Sequence, residues 1–263
     1  MKIHFYKYEG AGNDFIIIDN RDSNIHLTLS QINFLCQRHF GIGSDGLMFF
    51  NNSEKEDFAM EFYNPDGSGG MMCGNGGRCI VRFAKDIKAI QSNKVSFLAP
   101  DGKHTAEIID QENVCLKMKD VEKVYEYDDG YYLNTGTSHF VKKVKNVNDV
   151  DVFKEGKKLR WDSRFEKYNG CNVNFYTEKK ENELLIRTFE RGVEGETLAC
   201  GTGIVATAIA YITDKKFNEG NYEIVVKTQH NELKVCVKKE LNKFSQVYLI
   251  GPAKKVYQAD IEI

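Results

Sequence analysis

The sequence lacks the features of a membrane-spanning protein and of a protein that binds nucleic acid. Its most apolar runs, such as FIII at 15–18, are far shorter than the roughly 18 residues that span a bilayer. Lys and Arg number 36 and Asp and Glu number 38, so the net charge of −2 provides no broad surface for a polyanion or an anionic membrane. The opening segment MKIHFYKYEG has neither the apolar stretch nor the cleavage site of a signal peptide, and we expect a cytoplasmic protein.

Proline is scarce, with 3 in 263 residues, and no Pro- or Ser-rich linker divides the chain. Hydrophobic residues make up 41% of the sequence, which suffices for a packed core and is too much for a disordered protein. A chain of this length forms one large domain or two of roughly 100–150 residues.

The apolar patterns predict many strands and few helices. Period-two alternation predicts strands at 57–64, 113–118 and 232–239, and Asp128-Asp129-Gly130 predicts a hairpin turn. Three helices are predicted: one with a capping Ser30 that continues to Phe40, one over 76–89, and one from Gly201 to about Thr213 that is apolar nearly all round. This mixture predicts an α+β (mixed α/β) fold in which helices pack into curved sheets.

Seven cysteines are present, and in a reducing compartment an odd number is not a disulfide framework. Five of them lie on apolar faces of predicted elements or inside a predicted helix, and we interpret them as core thiols: Cys36, Cys79, Cys115, Cys171 and Cys236. The other two, Cys73 and Cys200, each begin a Cys-Gly-x-Gly segment that leads into a predicted helix.

These two cysteines belong to a weak internal repeat. Residues 62–78 (FYNPDGSGGMMCGNGGR) and 189–203 (FERGVEGETLACGTG) each contain a strand end, a polar turn, Cys-Gly-x-Gly and a helix start. We therefore expect two similar halves that face each other, each with one cysteine at a helix N-terminus. The expected halves are 1–118 and 119–254, and a terminal strand at 255–263 is expected to pack back onto the first half.

A cysteine at a helix N-terminus is suited to proton transfer beside a bound anion. The unpaired N–H groups and the positive end of the helix dipole bind a carboxylate and stabilise a thiolate. They lower a cysteine pKa from about 8.5, although one helix end contributes only about one pKa unit. Two facing thiols can remove a proton from one side of a carbon and return it to the other, which is the chemistry of a racemase or epimerase.

The sequence resembles the diaminopimelate epimerase family along nearly its whole length. The resemblance rests on GAGNDF (10–15), RHFGIGSDGL (38–47), YNPDGSGGMMCGNGGRC (63–79), CNVNF (171–175), FERGVEGETLACGTG (189–203) and GPA (251–253). It implies two α/β halves, each a curled mixed sheet around a central helix, with the active site in the cleft between them. It also implies an enzyme without pyridoxal phosphate or metal that interconverts LL- and meso-diaminopimelate for lysine and peptidoglycan synthesis.

The resemblance also implies roles for individual residues. Cys73 and Cys200 match the two catalytic bases. The positions that match substrate-binding residues are Asn13, Asn64, Gly74, Asn75, Asn172, Glu190, Arg191, Gly201 and Thr202. His139 and Glu190 match residues that modulate the thiol pKa values. The sequence departs from the family at Thr137 and Ser138, where Asn-Pro or Ser-Pro is common, and this departure bears on substrate specificity.

Several alternatives remain open at the level of sequence. The first is a racemase of the same architecture that acts on another amino acid. The second is a redox-sensing protein in which Cys73 and Cys200 form a disulfide, and the third is a carboxylate-binding module without activity. The GIGSDG segment at 41–46 has the letters of a dinucleotide fingerprint but not its strand-before-helix order. We expect a small-molecule substrate and a homodimer, with neither nucleic acid nor a membrane as partner.

Overall fold

The computed structural model describes residues 1–70, 72–241 and 243–263, which form two compact units. Unit 1 consists of residues 1–116 and 251–263, and unit 2 of residues 117–250. The strands are β1 (Lys2–Gly10), β2 (Asn13–Asp19), β3 (Gly46–Asn51), β4 (Phe58–Tyr63), β5 (Lys94–Ala99), β6 (Gly102–Ile108), β7 (Asn113–Lys117), β8 (Val124–Tyr127), β9 (Gly130–Asn134), β10 (Ser138–Lys143), β11 (Asn172–Lys180), β12 (Glu183–Glu190), β13 (Gly195–Thr197), β14 (Gly220–Lys227), β15 (Glu232–Lys239), β16 (Phe244–Pro252) and β17 (Lys254–Glu262). The α-helices are α1 (Leu29–Cys36), α2 (Gly74–Asp86), α3 (Val152–Arg160) and α4 (Gly201–Asp214).

The strands of the two units pair in the same order. In unit 1, β1 to β7 pair successively, antiparallel except for the parallel pairs β2–β3 and β4–β5, and β17 lies antiparallel to β1. In unit 2, β9, β10, β11, β12, β14, β15 and β16 follow the same sequence, with parallel pairs β10–β11 and β12–β14. The mixed α/β fold with two similar halves is therefore confirmed.

One helix in each unit occupies the equivalent place, and each of these helices is buried. In unit 1, α2 follows β4 and contacts β1, β2, β6 and β17; in unit 2, α4 follows β12 and β13 and contacts β9, β10, β11, β12, β14 and β15. A helix that touches strands from both ends of one sheet requires that sheet to curve around it. In α4 every residue from Gly203 to Ile212 is buried, as its apolar sequence predicts. Across the three described stretches of chain, no helix is long and apolar enough to cross a membrane.

The helix predictions were correct in kind but not in every boundary. The first helix begins after Thr28, whose hydroxyl accepts from the Gln31 N–H, so Thr28 and not Ser30 is the cap. It ends at Cys36 because Gln37 is extended and His39 has φ of 78°, so the predicted continuation to Phe40 was wrong. Sequence analysis did not predict α3, where a run of lysines conceals a short amphipathic pattern.

The strands and the hairpin at 128–130 were predicted correctly, but two core cysteines were not. The strands at 58–63, 113–117 and 232–239 are present, and Tyr127 pairs with Gly130 at the hairpin. Three of the five cysteines are buried as predicted: Cys36, Cys79 and Cys171. Cys115 and Cys236 are only half-buried, because the neighbours of each along its strand point inward instead.

The packing of α3 on β12 depends on the absence of a side chain at Gly156. A Cβ atom built there would lie 2.4 Å from the Cβ of Phe189, which is fully buried. We expect Gly156→Ala to lower the free energy of unfolding by about 1–3 kcal/mol through overpacking, although alanine normally favours a helix by roughly 0.5–1 kcal/mol. Urea titration measures the change. The control is Gly195→Ala, whose Cβ would lie 4.0 Å from its nearest neighbour, and an equal loss in both variants would contradict the prediction.

Candidate active site

The two predicted catalytic cysteines occupy the N-cap positions of α2 and α4. Cys73 is half-buried and Cys200 is 6% exposed, and in the described chain neither side chain caps its own helix. By contrast, α1 and α3 are closed by side-chain caps, from Thr28 and from Asp151. The first turns of α2 and α4 also contain no acidic residue. Their positive ends are thus suited to accept an external anion.

In unit 1 a chain of hydrogen bonds runs from a buried cation to the predicted substrate-binding asparagines. Arg78 is fully buried and donates to Asn75 Oδ1 at 2.8 Å. Asn75 Nδ2 in turn donates to Asn13 Oδ1, and Asn13 Nδ2 donates to Asp45 Oδ2 at 3.0 Å. Because each amide is held at both ends, the orientations of Asn13 and Asn75 are fixed before any ligand binds.

Arg78 also supports the helix start that contains Cys73. Its Nη1 donates to the carbonyl of Gly74 and its Nε to the carbonyl of Pro252, both at 3.3 Å. Burial lowers the pKa of Arg78, and electrostatic interactions with Cys79 and Cys73 act in the opposite direction. The positive charge at Arg78 therefore favours a thiolate at Cys73.

The predicted residue Asn64 follows β4 and interacts with its own turn. Its backbone N–H donates to the carbonyl of Ser68 at 2.9 Å, and its Nδ2 donates to Ser68 Oγ at 3.1 Å. The structure thus brings Asn13, Gly74 and Asn75 together by the contacts above, whereas the contacts described for Asn64 lie within the turn itself.

In unit 2 the centre of the site is a neutral histidine. His139 is fully buried, and this burial, with a smaller contribution from the positive charge of Arg191, lowers the pKa of His139 to about 3. Its Nε2 lies 2.9 Å from Thr137 Oγ1 and 2.9 Å from Thr202 Oγ1. Thr202 Oγ1 is 3.5 Å from Cys200 Sγ, so His139 reaches the sulfur through one hydroxyl group.

The other predicted residues of unit 2 surround this histidine or the end of β12. Asn172 donates to Thr137 Oγ1 at 3.2 Å and accepts from the backbone N–H of Arg191 at 2.9 Å. Glu190 accepts from Thr197 Oγ1 at 2.8 Å. Gly201 is buried at the start of α4. Thr137, where the sequence departs from the family pattern, therefore connects His139, Asn172 and Thr202.

A cavity of about 220 Å³ lies beside Cys200 within unit 2. Its lining includes Thr188, Glu196, Thr197 and Ile204. Arg187 neutralises Glu196 through two hydrogen bonds of 2.7 Å, so the wall at that point is a closed ion pair. The cavity has room for part of a small ligand next to the sulfur atom.

Sequence analysis missed residues that act behind the predicted ones. Arg78 carries a signal in its sequence, since an arginine inside a glycine-rich helix start is unusual. Asn174 carries another, because Asn172 and Asn174 are two residues apart in one strand and share a face. Gly203 gave no separate signal: a Cβ there would lie 2.3 Å from Asn174 Oδ1, which only the folded chain reveals.

Comparisons of the whole chain agree with the family resemblance seen in the motifs. The family model for diaminopimelate epimerase matches residues 5–124 and 131–256. The chain is similar to the diaminopimelate epimerase of Flavobacterium psychrophilum, with 44% identity over 257 residues that cover 97% of this chain and 99% of that protein. It is also similar to the diaminopimelate epimerase of Chlorobaculum tepidum, with 39% identity over 263 residues and coverage of 97% and 99%.

Solved structures with the same fold are more distant in sequence. The fold is similar to a phenazine biosynthesis protein of the PhzF family from Bacillus anthracis, with a TM-score of 0.79, 15% identity and full coverage of both chains. It is also similar to a hydroxyproline epimerase from Agrobacterium vitis with bound trans-4-hydroxy-L-proline, with a TM-score of 0.71, 12% identity and coverage of 99% and 92%. At these identities the likeness concerns the fold.

The contacts of Arg78 predict a large effect of its removal. Arg78→Met removes three side-chain hydrogen bonds, to the carbonyls of Gly74 and Pro252 and to Asn75 Oδ1, and the loss of a hydrogen bond from a charged donor costs about 1.5–3 kcal/mol. We expect a lower urea midpoint, measured by circular dichroism. Lys85→Met, on the same helix and with a half-buried side chain whose one described hydrogen bond is exposed, is the control and is expected to change stability by about 0.5 kcal/mol or less. A midpoint for Arg78→Met equal to that of the control would contradict this account.

The lowered pKa of His139 predicts a specific acid sensitivity. The folded chain keeps His139 neutral down to a pH of about 3, whereas the unfolded chain protonates it below roughly 6.5. Between these two pH values the unfolded chain binds a proton at His139 that the folded chain does not. This protonation lowers the free energy of unfolding by about 1.4 kcal/mol for each unit by which the pH falls. The slope of unfolding free energy against pH between 6 and 4 is expected to be smaller in His139→Gln than in the parent. Equal slopes would show that His139 is not held neutral.

Proposed function

The chain belongs to the diaminopimelate epimerase family, and we propose that it interconverts LL- and meso-diaminopimelate by a cofactor-independent reaction that uses two cysteines. The product supplies lysine and peptidoglycan synthesis. The observation that carries this proposal is the equivalent placement of Cys73 and Cys200, each the N-cap residue of the buried helix of its unit. The two units support the further proposal that each half of the chain contributes one of the bases.

In the proposed reaction one cysteine is a thiolate and the other a thiol. The thiolate removes the α-proton from one face of the substrate, and the thiol donates its proton to the opposite face. The Cα–H bond breaks on one side as a new one forms on the other, so the substrate gains and loses one proton and the two sulfur atoms exchange protonation states. No redox step or external reactant is required.

The electrostatics of the helix starts support this chemistry. Negative charge develops on the substrate carboxylate as the α-proton leaves, and the N–H groups at the starts of α2 and α4 are suited to stabilise it. One helix end shifts a thiol pKa by about one unit at most, so hydrogen bonds must contribute the rest. The Thr202 hydroxyl beside Cys200 and the Arg78 charge near Cys73 are suited to this task.

The remaining predicted residues are proposed to hold the rest of the substrate. Diaminopimelate has a second amino acid group at its distal end, which needs both donors and acceptors. Amide side chains provide both without titrating. In this proposal the residues that bind the substrate are Asn13, Asn64, Gly74, Asn75, Asn172, Glu190, Arg191, Gly201 and Thr202. Glu190 and His139 act on the thiol pKa values.

Exchange of the α-proton in D2O tests the two-cysteine mechanism. We expect the parent to incorporate deuterium at the α-carbon of LL-diaminopimelate under reducing conditions. Cys73→Ser and Cys200→Ser are each expected to lower the turnover by at least about a hundredfold, because a serine hydroxyl is a far weaker acid than a thiol. Proton NMR measures the exchange.

The control for both variants is Cys115→Ser, because Cys115 is a half-buried cysteine on β7. It is expected to retain the activity of the parent. Full turnover in both Cys73→Ser and Cys200→Ser would contradict the two-cysteine mechanism. Binding of the substrate by the parent without any solvent exchange would instead favour a binding module.

Thr137 motivates a test of substrate range. Its hydroxyl is engaged by His139, Asn172 and Thr202, so it presents a different surface from the asparagine common in the family. The same exchange assay with other amino acids distinguishes a diaminopimelate epimerase from a racemase that acts on another amino acid. Deuterium incorporation into another amino acid alone, and not into diaminopimelate, would identify a racemase with a different substrate.

We propose finally that the protein acts as a homodimer in the cytoplasm. Val256 and Tyr257 on β17 are 56% and 42% exposed, and β17 is the surface at which we propose the contact with a second copy. Sedimentation velocity at assay concentrations is expected to give twice the chain mass of 30.1 kDa. A single species at the monomer mass would contradict this proposal.

A further inference from the structure

The Nδ1 atom of His139, on the side of the ring away from Thr202, faces the side chain of Asn174. Asn174 is fully buried on β11, and its Nδ2 lies 3.1 Å from His139 Nδ1. The same Nδ2 donates to the carbonyl of Phe140 at 3.3 Å, and Asn174 Oδ1 accepts from Thr188 Oγ1 at 3.0 Å. The amide group thus has three partners, two at Nδ2 and one at Oδ1.

These partners determine which way the amide points. The carbonyl of Phe140 is an obligatory acceptor, so the NH2 group of Asn174 must face it. The second hydrogen of the same NH2 group then points at His139 Nδ1, which must accept it. A neutral histidine with an accepting Nδ1 carries its proton on Nε2.

The Nε2–H tautomer determines the direction of the hydrogen bonds that follow. Nε2 donates to a threonine hydroxyl and does not accept from it, so the hydroxyl of Thr202 keeps its own proton for another acceptor. Thr137 Oγ1 at 3.3 Å and the sulfur of Cys200 at 3.5 Å both lie within its reach, and a charged thiolate is the stronger acceptor of the two. A hydrogen bond donated to sulfur favours the thiolate.

We propose that Asn174 is a positioning residue that fixes the Nε2–H tautomer of His139 and so directs the Thr202 hydroxyl proton to the sulfur of Cys200. The inference rests on the proposed function, in which Cys200 is a base, and adds to it the group that sets the direction of this network. Asn174 does not touch the substrate in this account. It acts through His139 and Thr202.

The glycine after Thr202 is part of the same arrangement. A Cβ atom at Gly203 would lie 2.3 Å from Asn174 Oδ1, closer than any side chain tolerates. Gly203 therefore allows α4 to approach the amide closely enough for Thr202 to reach His139. This packing gives a physical reason for the second glycine of the Cys-Gly-Thr-Gly segment.

The groups around His139 make its ionisation easy to interpret. Asn174 from β11 faces its Nδ1, and the hydroxyls of Thr137 and of Thr202 from α4 face its Nε2, with Leu133 beside it on β9. The titratable group at the start of α4 is Cys200, reached through Thr202, and the charged group after β12 is Arg191, which acts on the ring electrostatically. Both burial and Arg191 disfavour the charged ring, so the ring stays neutral in the parent across the working pH range, and the Asn174 amide then selects its Nε2–H tautomer.

The sharpest variant is Asn174→Asp, which keeps the shape of the side chain and replaces the donor with a carboxylate. An ionised carboxylate only accepts, so Nδ1 must now carry a proton. The carboxylate and the ring together then titrate as a pair. While the pair holds its extra proton, Nε2–H is retained; once that proton is lost, Nε2 becomes an acceptor and withdraws the Thr202 hydroxyl from the sulfur.

The first readout is the tautomer itself and requires no activity. In the parent, labelled with ¹⁵N-histidine, two-bond ¹⁵N–¹H correlation spectra are expected to show one of the six histidines as neutral Nε2–H throughout the working pH range. His139→Gln assigns that signal by its loss. A neutral Nδ1–H tautomer at His139 in the parent would overturn the proposal, even where the variant fails to fold.

The second readout is the pH profile of turnover. In Asn174→Asp, kcat is expected to fall by about tenfold to a hundredfold as the pH rises through the new pKa of the pair, because one hydrogen bond to a charged sulfur is lost. KM is expected to change little, and at low pH the variant is expected to approach the parent. A pH profile identical to that of the parent would overturn the proposal.

A matched control separates the position from the added charge. Asn146→Asp makes the same substitution in unit 2 at a site that caps a short 3₁₀ turn, and it is expected to keep the pH profile of the parent. A profile that shifts equally in Asn146→Asp and Asn174→Asp would attribute the effect to charge alone and overturn the proposal. Failure of the proposed function is a different result: the parent itself would show no α-proton exchange, whatever the tautomer of His139.

Discussion

The structure depends on two helix N-termini that, in the described residues, begin at a cysteine whose side chain does not cap the helix. Most helices close their first N–H groups with a side chain, as α1 and α3 do here, because unpaired N–H groups in a protein interior are costly. Cys73 and Cys200 occupy the corresponding positions of α2 and α4 without capping them. Each unit thereby retains a concentrated positive potential beside a sulfur atom, and the surrounding sheet holds that helix end in place.

The two units place different groups beside the equivalent cysteines. In unit 1 the residue two positions after the cysteine is Asn75, which is held by the buried cation Arg78. In unit 2 the equivalent residue is Thr202, which is held by the neutral ring of His139. A fixed positive charge favours a thiolate more strongly than a neutral donor does. The shared topology therefore places two thiols in surroundings that are not equivalent.

Close packing connects the fold to this chemistry. The backbone of α4 approaches β11 at Gly203, where any side chain would displace Asn174. In unit 1 the buried Arg78 satisfies carbonyl groups of the helix start and of the last residue of β16. The polar groups behind the cysteines are therefore also structural, and changes there are expected to affect stability and proton transfer together.

The sequence by itself determined the fold class, the family and the two helix starts. These features depend on residues that are close together in the sequence. They include the alternation of apolar residues, the hairpin at 128–130 and the repeated Cys-Gly-x-Gly segments. It failed where the outcome depends on contacts between distant segments. The end of α1, the half-buried positions of Cys115 and Cys236 and the partners of His139 are examples. Only the tertiary structure decided that Asn174 faces Nδ1 and that Arg78 is buried, because burial and hydrogen-bond direction are properties of packed neighbours and not of the residue type.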